Sequence, residues 1–311
     1  MAKLKIVITD VGTPDVDIER GILSALDAEV IVGHCRTEDE VLAIAKDADA
    51  ILVQWAPIKR RVIEQLTRCK VISRYGVGVD MIDLDAAKER GIPVKNVPAY
   101  CVEEVAAHTL CFILALGRKV VIQDRVMRQG IWKVGEYIVP VERFAAQTLG
   151  LVGLGRIGRR VAELVAPLGM RILGYDVQPP KDPGIIKLVD FDTVVRESDF
   201  LSLHCPLTDK TRHIINRDVF KKMKPGSFLV NNGRGGLVDT AALLEVLGSK
   251  HLAGAGLDVF EEEPLPADHP VRKLDNVILT AHAASYSLGA EKQLREDVAR
   301  NVVEFFQGKH A

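Results

Sequence analysis

The chain alternates short apolar runs with segments whose apolar residues recur every three or four positions. Strands are predicted near 4–9, where Leu4-Lys5-Ile6-Val7-Ile8-Thr9 opens the sequence, and near 29–33, 50–55, 70–75 and 93–97, with helical patterns between them. That rhythm predicts a parallel sheet covered by helices. Some boundaries are legible: Thr37 and Glu40 form a capping-box pair ahead of Val41-Leu42-Ala43-Ile44, and Gly91 stands where a helix-terminating glycine belongs after Leu84 to Arg90. Residues 102–128 predict one long helical stretch, and 130–146, with Trp132, Tyr137 and Phe144, an irregular segment suited to an arm for another subunit. The alternation resumes with strands near 199–204, 227–232, 253–259 and 276–281 and helices near 216–224 and 239–249. A last helix, about 290–307, repeats Leu294, Val298, Val302, Phe305 and Phe306 on a face that must be buried, without indicating which sheet buries it.

Between these two series lies Thr148-Leu149-Gly150-Leu151-Val152-Gly153-Leu154-Gly155-Arg156-Ile157-Gly158. An apolar strand runs into a G-x-G-x-x-G turn, and Ile157, Val161, Leu164, Val165 and Leu168 follow as one helical face. Gly153 permits the tight turn, Gly155 lets the backbone approach a pyrophosphate, and Gly158 lets helix and strand pack closely. The unpaired N–H groups at the helix start, from Arg156 and Ile157 onward, then face phosphate. Arg171 to Asp176 reads as the second strand, and Asp176 lies eighteen residues past the last glycine. A carboxylate there accepts hydrogen bonds from ribose hydroxyls and repels a 2′-phosphate, and Val177-Gln178-Pro179-Pro180 brings no arginine to offset it. NAD is therefore the expected cofactor.

The length of 311 residues allows two domains with separate cores. The balance of 41 basic and 42 acidic residues leaves no charge footprint for nucleic acid or an anionic membrane, so the expected partner is a small molecule. Five cysteines, Cys35, Cys69, Cys101, Cys111 and Cys205, are scattered without C-x-x-C spacing; they are expected to be small core residues of a cytoplasmic protein, not disulfides or metal ligands. The start of the chain carries no secretory pattern, and the longest apolar run, Leu110 to Leu116, is too short for a bilayer.

Ligands of an open α/β sheet bind beyond the carboxyl ends of its strands. Strand 227–232 ends in Asn231-Asn232-Gly233-Arg234-Gly235-Gly236, strand 253–259 leads into Asp258-Val259-Phe260-Glu261-Glu262-Glu263-Pro264, and strand 276–281 ends at His282. An arginine, a glutamate and a histidine suffice for hydride transfer between a 2-hydroxy acid and a nicotinamide. His282 suits the acid/base role because imidazole titrates near neutrality, with Glu263 as its orienting partner, while Arg234 can grip a carboxylate with two charge-assisted hydrogen bonds.

These motifs resemble those of the D-2-hydroxyacid dehydrogenases, and Tyr75-Gly76-Val77-Gly78-Val79-Asp80, His204-Cys205-Pro206-Leu207-Thr208 and Arg128-Gln129-Gly130-Ile131-Trp132 extend the likeness over nearly the whole chain. The resemblance implies two doubly wound parallel-sheet domains: a discontinuous flavodoxin-like substrate domain (1–100 plus 286–311) and an inserted NAD-binding Rossmann domain (101–285). It further implies a cleft between them, a homodimer through the nucleotide domain, and a 2-hydroxy or 2-oxo acid as substrate. It adds His204, Pro206, Asn232, Gly233 and Asp258 to the cofactor residues and assigns Tyr75, Val77 and Gly78, beside Arg234, to substrate. Two positions depart from the family: Val105-Ala106-Ala107-His108 carries alanine where relatives commonly carry an acid, and Ser287 stands where threonine is usual. Glutamate rather than glutamine at 263 separates the chain from formate dehydrogenases. Phosphoglycerate oxidation is an alternative, with Lys59-Arg60-Arg61 and Arg74 as candidate phosphate contacts, and Trp55, Tyr75, Tyr100 and Tyr286 could instead line a pocket for a bulkier side chain. Asn96 to Val105 also resembles the C-terminal binding protein branch, so an NAD-sensing corepressor-like scaffold is the rival from another class.

Overall fold

The computed structural model describes residues 3–133, 135 and 140–308. The chain divides into two compact units, Met1–Cys101 with Ser287–Ala311, and Val102–Tyr286. In the first, β1 (Leu4–Ile8), β2 (Ala28–Val32), β3 (Ala50–Val53), β4 (Val71–Arg74) and β5 (Val94–Lys95) form a parallel sheet in the order β2-β1-β3-β4-β5. Every residue of β3 and β4 is buried, as expected of strands covered on both faces. One core packs Val7, Ile51 and Ile72 against the helices Glu38–Ala45 and Arg60–Gln65, and the other packs Ile6, Ile8 and Leu52 against the final helix, Leu288–Phe306. Leu294, Val298 and Val302 supply that helix's inner face, and Ser287 caps it by accepting from the Ala290 N–H. The Thr37–Glu40 capping box is present, and Gly91 adopts φ 65° after the helix Leu84–Glu89.

A buried charge cluster fastens the last helix to the first. Arg295 donates to both Glu19 carboxylate oxygens at 2.8–3.2 Å and to Asp15, and Glu19 also accepts from the Tyr75 hydroxyl at 3.3 Å. Removing either partner of such a pair strands a charge in the core.

In the second unit, β6 (Thr148–Val152), β7 (Arg171–Tyr175), β8 (Lys187–Leu188), β9 (Phe200–Leu203), β10 (Phe228–Asn231), β11 (Gly254–Leu257) and β12 (Val277–Leu279) form a parallel sheet ordered β12-β11-β10-β9-β6-β7-β8. The order reverses between β6 and β9, which is the switch point of a Rossmann sheet. β8 has no counterpart in the sequence reading: it is two exposed residues, too short to show a period.

Two expectations need correction. The stretch 102–128 is two helices, Val102–Gly117 and Val120–Arg128, set at 61°. Lys119 lies between them at φ 51°, a left-handed conformation that no α-helix can carry through. Cys35 and Cys101 are buried, but Cys111 is exposed, because the helix Val102–Gly117 buries Val105, Thr109, Phe112, Ile113 and Leu116 and turns position 111 away. Trp132 and Phe144 are placed, whereas Tyr137 lies outside the described residues. Among the described residues no single helix is long and apolar enough to cross a membrane, and no three His, Cys, Asp or Glu side chains are grouped to hold a metal.

Candidate active site

The nucleotide loop follows β6 at the switch point. Gly153 adopts φ 99°, and a Cβ there would strike the backbone of His204 and Cys205, the first residues past the adjacent strand β9. Gly158 packs against the Gly153 carbonyl, where a side chain has no room. Gly155, by contrast, has open space around its Cβ position and caps the helix Arg156–Val165 without a side-chain partner, so the helix's first N–H groups are presented outward. Asp176, just past β7, accepts from the Leu154 N–H at 2.7 Å and the Gln178 N–H at 2.8 Å, one bond on each oxygen. Each oxygen retains acceptor capacity for a ribose hydroxyl. Val177 is exposed, and the turn carries no cation. An open helix start and an acid at the second strand's end fit NAD. His204 completes this edge: burial pushes its imidazole down to about 4, and its Nε2 meets the Ser202 hydroxyl at 2.9 Å, so the ring is neutral.

The acid–base groups lie on the other half of the same sheet edge, where β10, β11 and β12 are neighbours. The His282 Nδ1 meets Glu263 Oε2 at 2.6 Å, and Glu263 Oε1 accepts from the Phe260 N–H at 2.8 Å. Burial acts to raise the Glu263 carboxyl, but the hydrogen bonds from His282 and Phe260 and the nearby positive charges of His282 and Arg234 outweigh it and hold the group below the usual carboxylate range. An ionised Glu263 only accepts, so Nδ1 carries the hydrogen and Nε2 is left for a substrate. Arg234 sits on the turn after β10, held through its carbonyl by the Asn231 amide at 3.0 Å.

His282 adopts φ 52°, an uncommon conformation for a non-glycine residue. Asp258 enforces it. Its carbonyl accepts from the His282 N–H at 2.8 Å, and its carboxylate, 1% exposed, accepts from Ala283 N–H at 2.8 Å, Ala284 N–H at 2.9 Å and the Thr280 hydroxyl at 2.5 Å. The His108 ring extends the chain to Thr280 at 3.1 Å, and the Asn232 amide meets the Thr109 hydroxyl at 2.9 Å. Motif reading missed Thr280, His108 and Thr109. Only helical spacing to the buried Val105 and Phe112 could have hinted that 108 and 109 flank the core side.

In the first unit, the turn after β4 carries Val77 and Gly78. It is pinned by the Val97 N–H on the Gly76 carbonyl at 3.0 Å and the Asn96 amide on the Val77 carbonyl at 2.6 Å. Tyr75 is corrected: the residue is 2% exposed, packs in the core beside the final helix, and donates its hydroxyl to Glu19. Trp55 and Tyr286 are exposed. The basic run is engaged within the unit, Lys59 on the Asp80 carbonyl at 2.7 Å, Arg60 on Glu89 at 2.6 Å, and Arg61 on Asp39.

A Rossmann sheet with a dinucleotide loop at its switch point and an imidazole–carboxylate pair farther along the same edge defines a nicotinamide-dependent oxidoreductase. Residues 110–284 match the family described as D-isomer specific 2-hydroxyacid dehydrogenase, NAD binding domain. The chain belongs to that family, and is an NAD-dependent 2-hydroxyacid dehydrogenase. It is 39% identical to the glyoxylate reductase of Thermofilum pendens over 88% of this chain and 83% of that one. It is 36% identical to the hydroxypyruvate reductase of Thermotoga maritima over 97% and 98% of the two chains. The D-lactate dehydrogenase of Aquifex aeolicus, solved with NAD and lactic acid, superposes with a TM-score of 0.87 at 33% identity, covering 98% of this chain and 96% of that one.

Proposed function

We propose that the protein reduces a small, unphosphorylated 2-oxo acid of the glyoxylate and hydroxypyruvate kind to the D-2-hydroxy acid. The observation that carries this reading is the 2.6 Å contact between His282 and an ionised Glu263, brought together by the segments that follow the neighbouring strands β12 and β11. Reduced NAD, when bound, supplies the hydride. Gly155 leaves room for its pyrophosphate, Gly153 and Gly158 allow the turn and the close helix–strand packing that shape the loop, the Arg156 and Ile157 N–H groups bind the pyrophosphate, and Asp176 takes the ribose. His204, Pro206, Asn232, Gly233 and Asp258 complete the cofactor's surroundings. Arg234 binds the substrate carboxylate and polarises the keto group; in the first unit, the Val77 and Gly78 N–H groups are the proposed substrate contacts. His282, its Nδ1–H held by Glu263, delivers a proton from Nε2 to the keto oxygen. The intramolecular partners of Lys59, Arg60 and Arg61 support an unphosphorylated substrate over a phosphoglycerate.

The proposal extends to a cytoplasmic homodimer without nucleic-acid or membrane partners. Free cysteines support the compartment. Exposed Val120, Val121, Met127 and Trp132 support a subunit contact on that segment, since grouped exposed apolar residues mark interaction sites. The test is NADH oxidation across glyoxylate, hydroxypyruvate, phosphohydroxypyruvate, pyruvate, phenylpyruvate and branched-chain 2-oxo acids. Selective turnover of the first two supports the reading. Tight NADH binding with negligible turnover on all of them replaces it with a sensor or scaffold.

A further inference from the structure

Beside the acid–base pair stands a second imidazole–carboxylate pair that the reaction does not use. His213 Nε2 meets Glu261 Oε1 at 2.6 Å, and Glu261 Oε2 accepts from the Thr240 N–H at 3.0 Å. The three residues come from separate segments: the loop after β9, the loop after β11, and the start of the helix Thr240–Gly248. His213 is held at φ 51°, its N–H on the Gly236 carbonyl at 2.8 Å. From there a short ladder runs along the arginine turn, Ile215 N–H to the Leu237 carbonyl at 3.1 Å and Asp239 N–H to the Ile215 carbonyl at 3.0 Å. Gly235, next to Arg234, lies against the Phe260–Glu261 peptide so closely that a Cβ would overlap it. Phe260 in turn gives its N–H to Glu263.

These contacts close a ring through the Arg234 turn, the His213 loop and the Glu263 loop. Under that ring lies a cavity of about 200 Å³, walled by Val238, Leu243, Leu257, Leu265 and Val271 and reaching Glu261. Packing beneath the loop is therefore incomplete, and the loop's position depends on its polar ties. Released from His213 and Thr240, the Phe260–Glu261 peptide loses the ties of its side chain, and the N–H that aims Glu263 at His282 shifts with it.

We infer that the His213–Glu261 pair is a positioning device that sets the spacing of Arg234 and Glu263, and through Glu263 the aim of His282. This rests on the proposed reduction of a 2-oxo acid. Neither residue touches the reacting atoms.

The experiment compares Glu261→Ala, Glu261→Gln and His213→Asn with the wild type, using glyoxylate and NADH deuterated or not at the transferred position. Asparagine tolerates the left-handed backbone at 213 and removes the imidazole. Glutamine keeps its oxygen for the Thr240 N–H and turns its NH2 to His213 Nε2, which accepts when the ring carries its hydrogen on Nδ1. Glu261→Ala and His213→Asn are expected to lower kcat about tenfold, with a larger isotope effect on kcat and an unchanged NADH dissociation constant, whereas Glu261→Gln recovers most of the rate. A purely structural pair would move the melting temperature and leave the isotope effect alone. Wild-type activity on glyoxylate with kcat and isotope effect of Glu261→Ala inside about twofold of wild type overturns this inference and spares the enzyme reading. A wild type inactive on every 2-oxo acid overturns both.

Discussion

Asp258 is the residue whose replacement the structure makes most quantitative. Its carboxylate is 1% exposed and receives two backbone N–H groups and one hydroxyl, all from the segment that holds His282 at φ 52°. In Asp258→Asn the side chain keeps its shape but offers one oxygen. The better amide orientation leaves that oxygen on Ala283 and Thr280, which share Oδ1, and turns the NH2 towards the Ala284 N–H, two donors facing each other. A buried donor left unsatisfied costs roughly 1–3 kcal/mol, and two charge-assisted bonds reduced to neutral ones lose about 1 kcal/mol each. The sum is about 3 to 5 kcal/mol, enough to release a backbone conformation that itself costs roughly 1–3 kcal/mol. For a unit of this size that corresponds to a melting temperature lower by about 6–20 °C. Far-UV circular dichroism reads the melt, and nicotinamide absorbance, taken well below it, reads turnover of the folded variant. With His282 no longer aimed, kcat is expected to fall at least about tenfold. A melting shift under about 2 °C together with kcat inside about twofold of wild type would refute the claim that Asp258 holds the His282 turn.

Three further outcomes follow from the site. His282→Ala should lower kcat by roughly 10² to 10⁴ while NADH titration by fluorescence stays unchanged; an unaltered rate removes it from the proton step. Asp176→Ala should narrow the preference for NADH over NADPH, measured as the ratio of kcat/KM, and an unchanged ratio places the ribose contact elsewhere. His204 lies below its ordinary 6.5, at about 4, so the unfolded chain binds its proton more readily: stability is full above about 6.5 and is lost as pH falls towards about 4. Chemical denaturation at a series of pH values should show His204→Gln losing about 3 kcal/mol less than wild type across that window, and parallel curves would disprove a neutral imidazole.

What the sequence made legible is what local pattern encodes. The Gly153–Gly158 turn, the Thr37 cap, the two parallel sheets and the strand-end positions of Arg234, Glu263 and His282 all follow from period, punctuation and motif. Contacts between distant residues left no such trace. His108 and Thr280 are 172 positions apart, and Glu19 and Arg295 are 276 apart, and in each case neither neighbourhood signals the partner. Tyr75 was misread for a related reason: a tyrosine at a strand end suits a pocket rim and a core equally, and a buried glutamate from another helix decided between them. The break at Lys119 escaped because a lysine in the left-handed region has no compositional marker.

The placement of the chemistry is a property of the sheet more than of its loops. Asn231 pairs with Leu257 across β10 and β11, and Leu257 with Leu279 across β11 and β12. Just past those pairs the Asp258 N–H bonds to the Asn231 carbonyl at 3.1 Å and the His282 N–H to the Asp258 carbonyl at 2.8 Å, so the parallel ladder continues beyond the ends of the strands. Asn231 then turns its side chain to the Arg234 carbonyl and the Gly233 N–H, and Asp258 turns its own to the His282 segment. Arg234 and His282 are thereby fixed relative to a rigid sheet by ladder bonds plus one buried polar side chain each, which is the kind of support that holds a site to fractions of an ångström. Glu263 is the exception. It stands five residues beyond Asp258, and its position relies on the Phe260 N–H and on what anchors Glu261. The loosest of the three groups is therefore the one that orients the imidazole, and substitutions around Glu261 should change catalysis while those around Asn231 and Asp258 change stability as well.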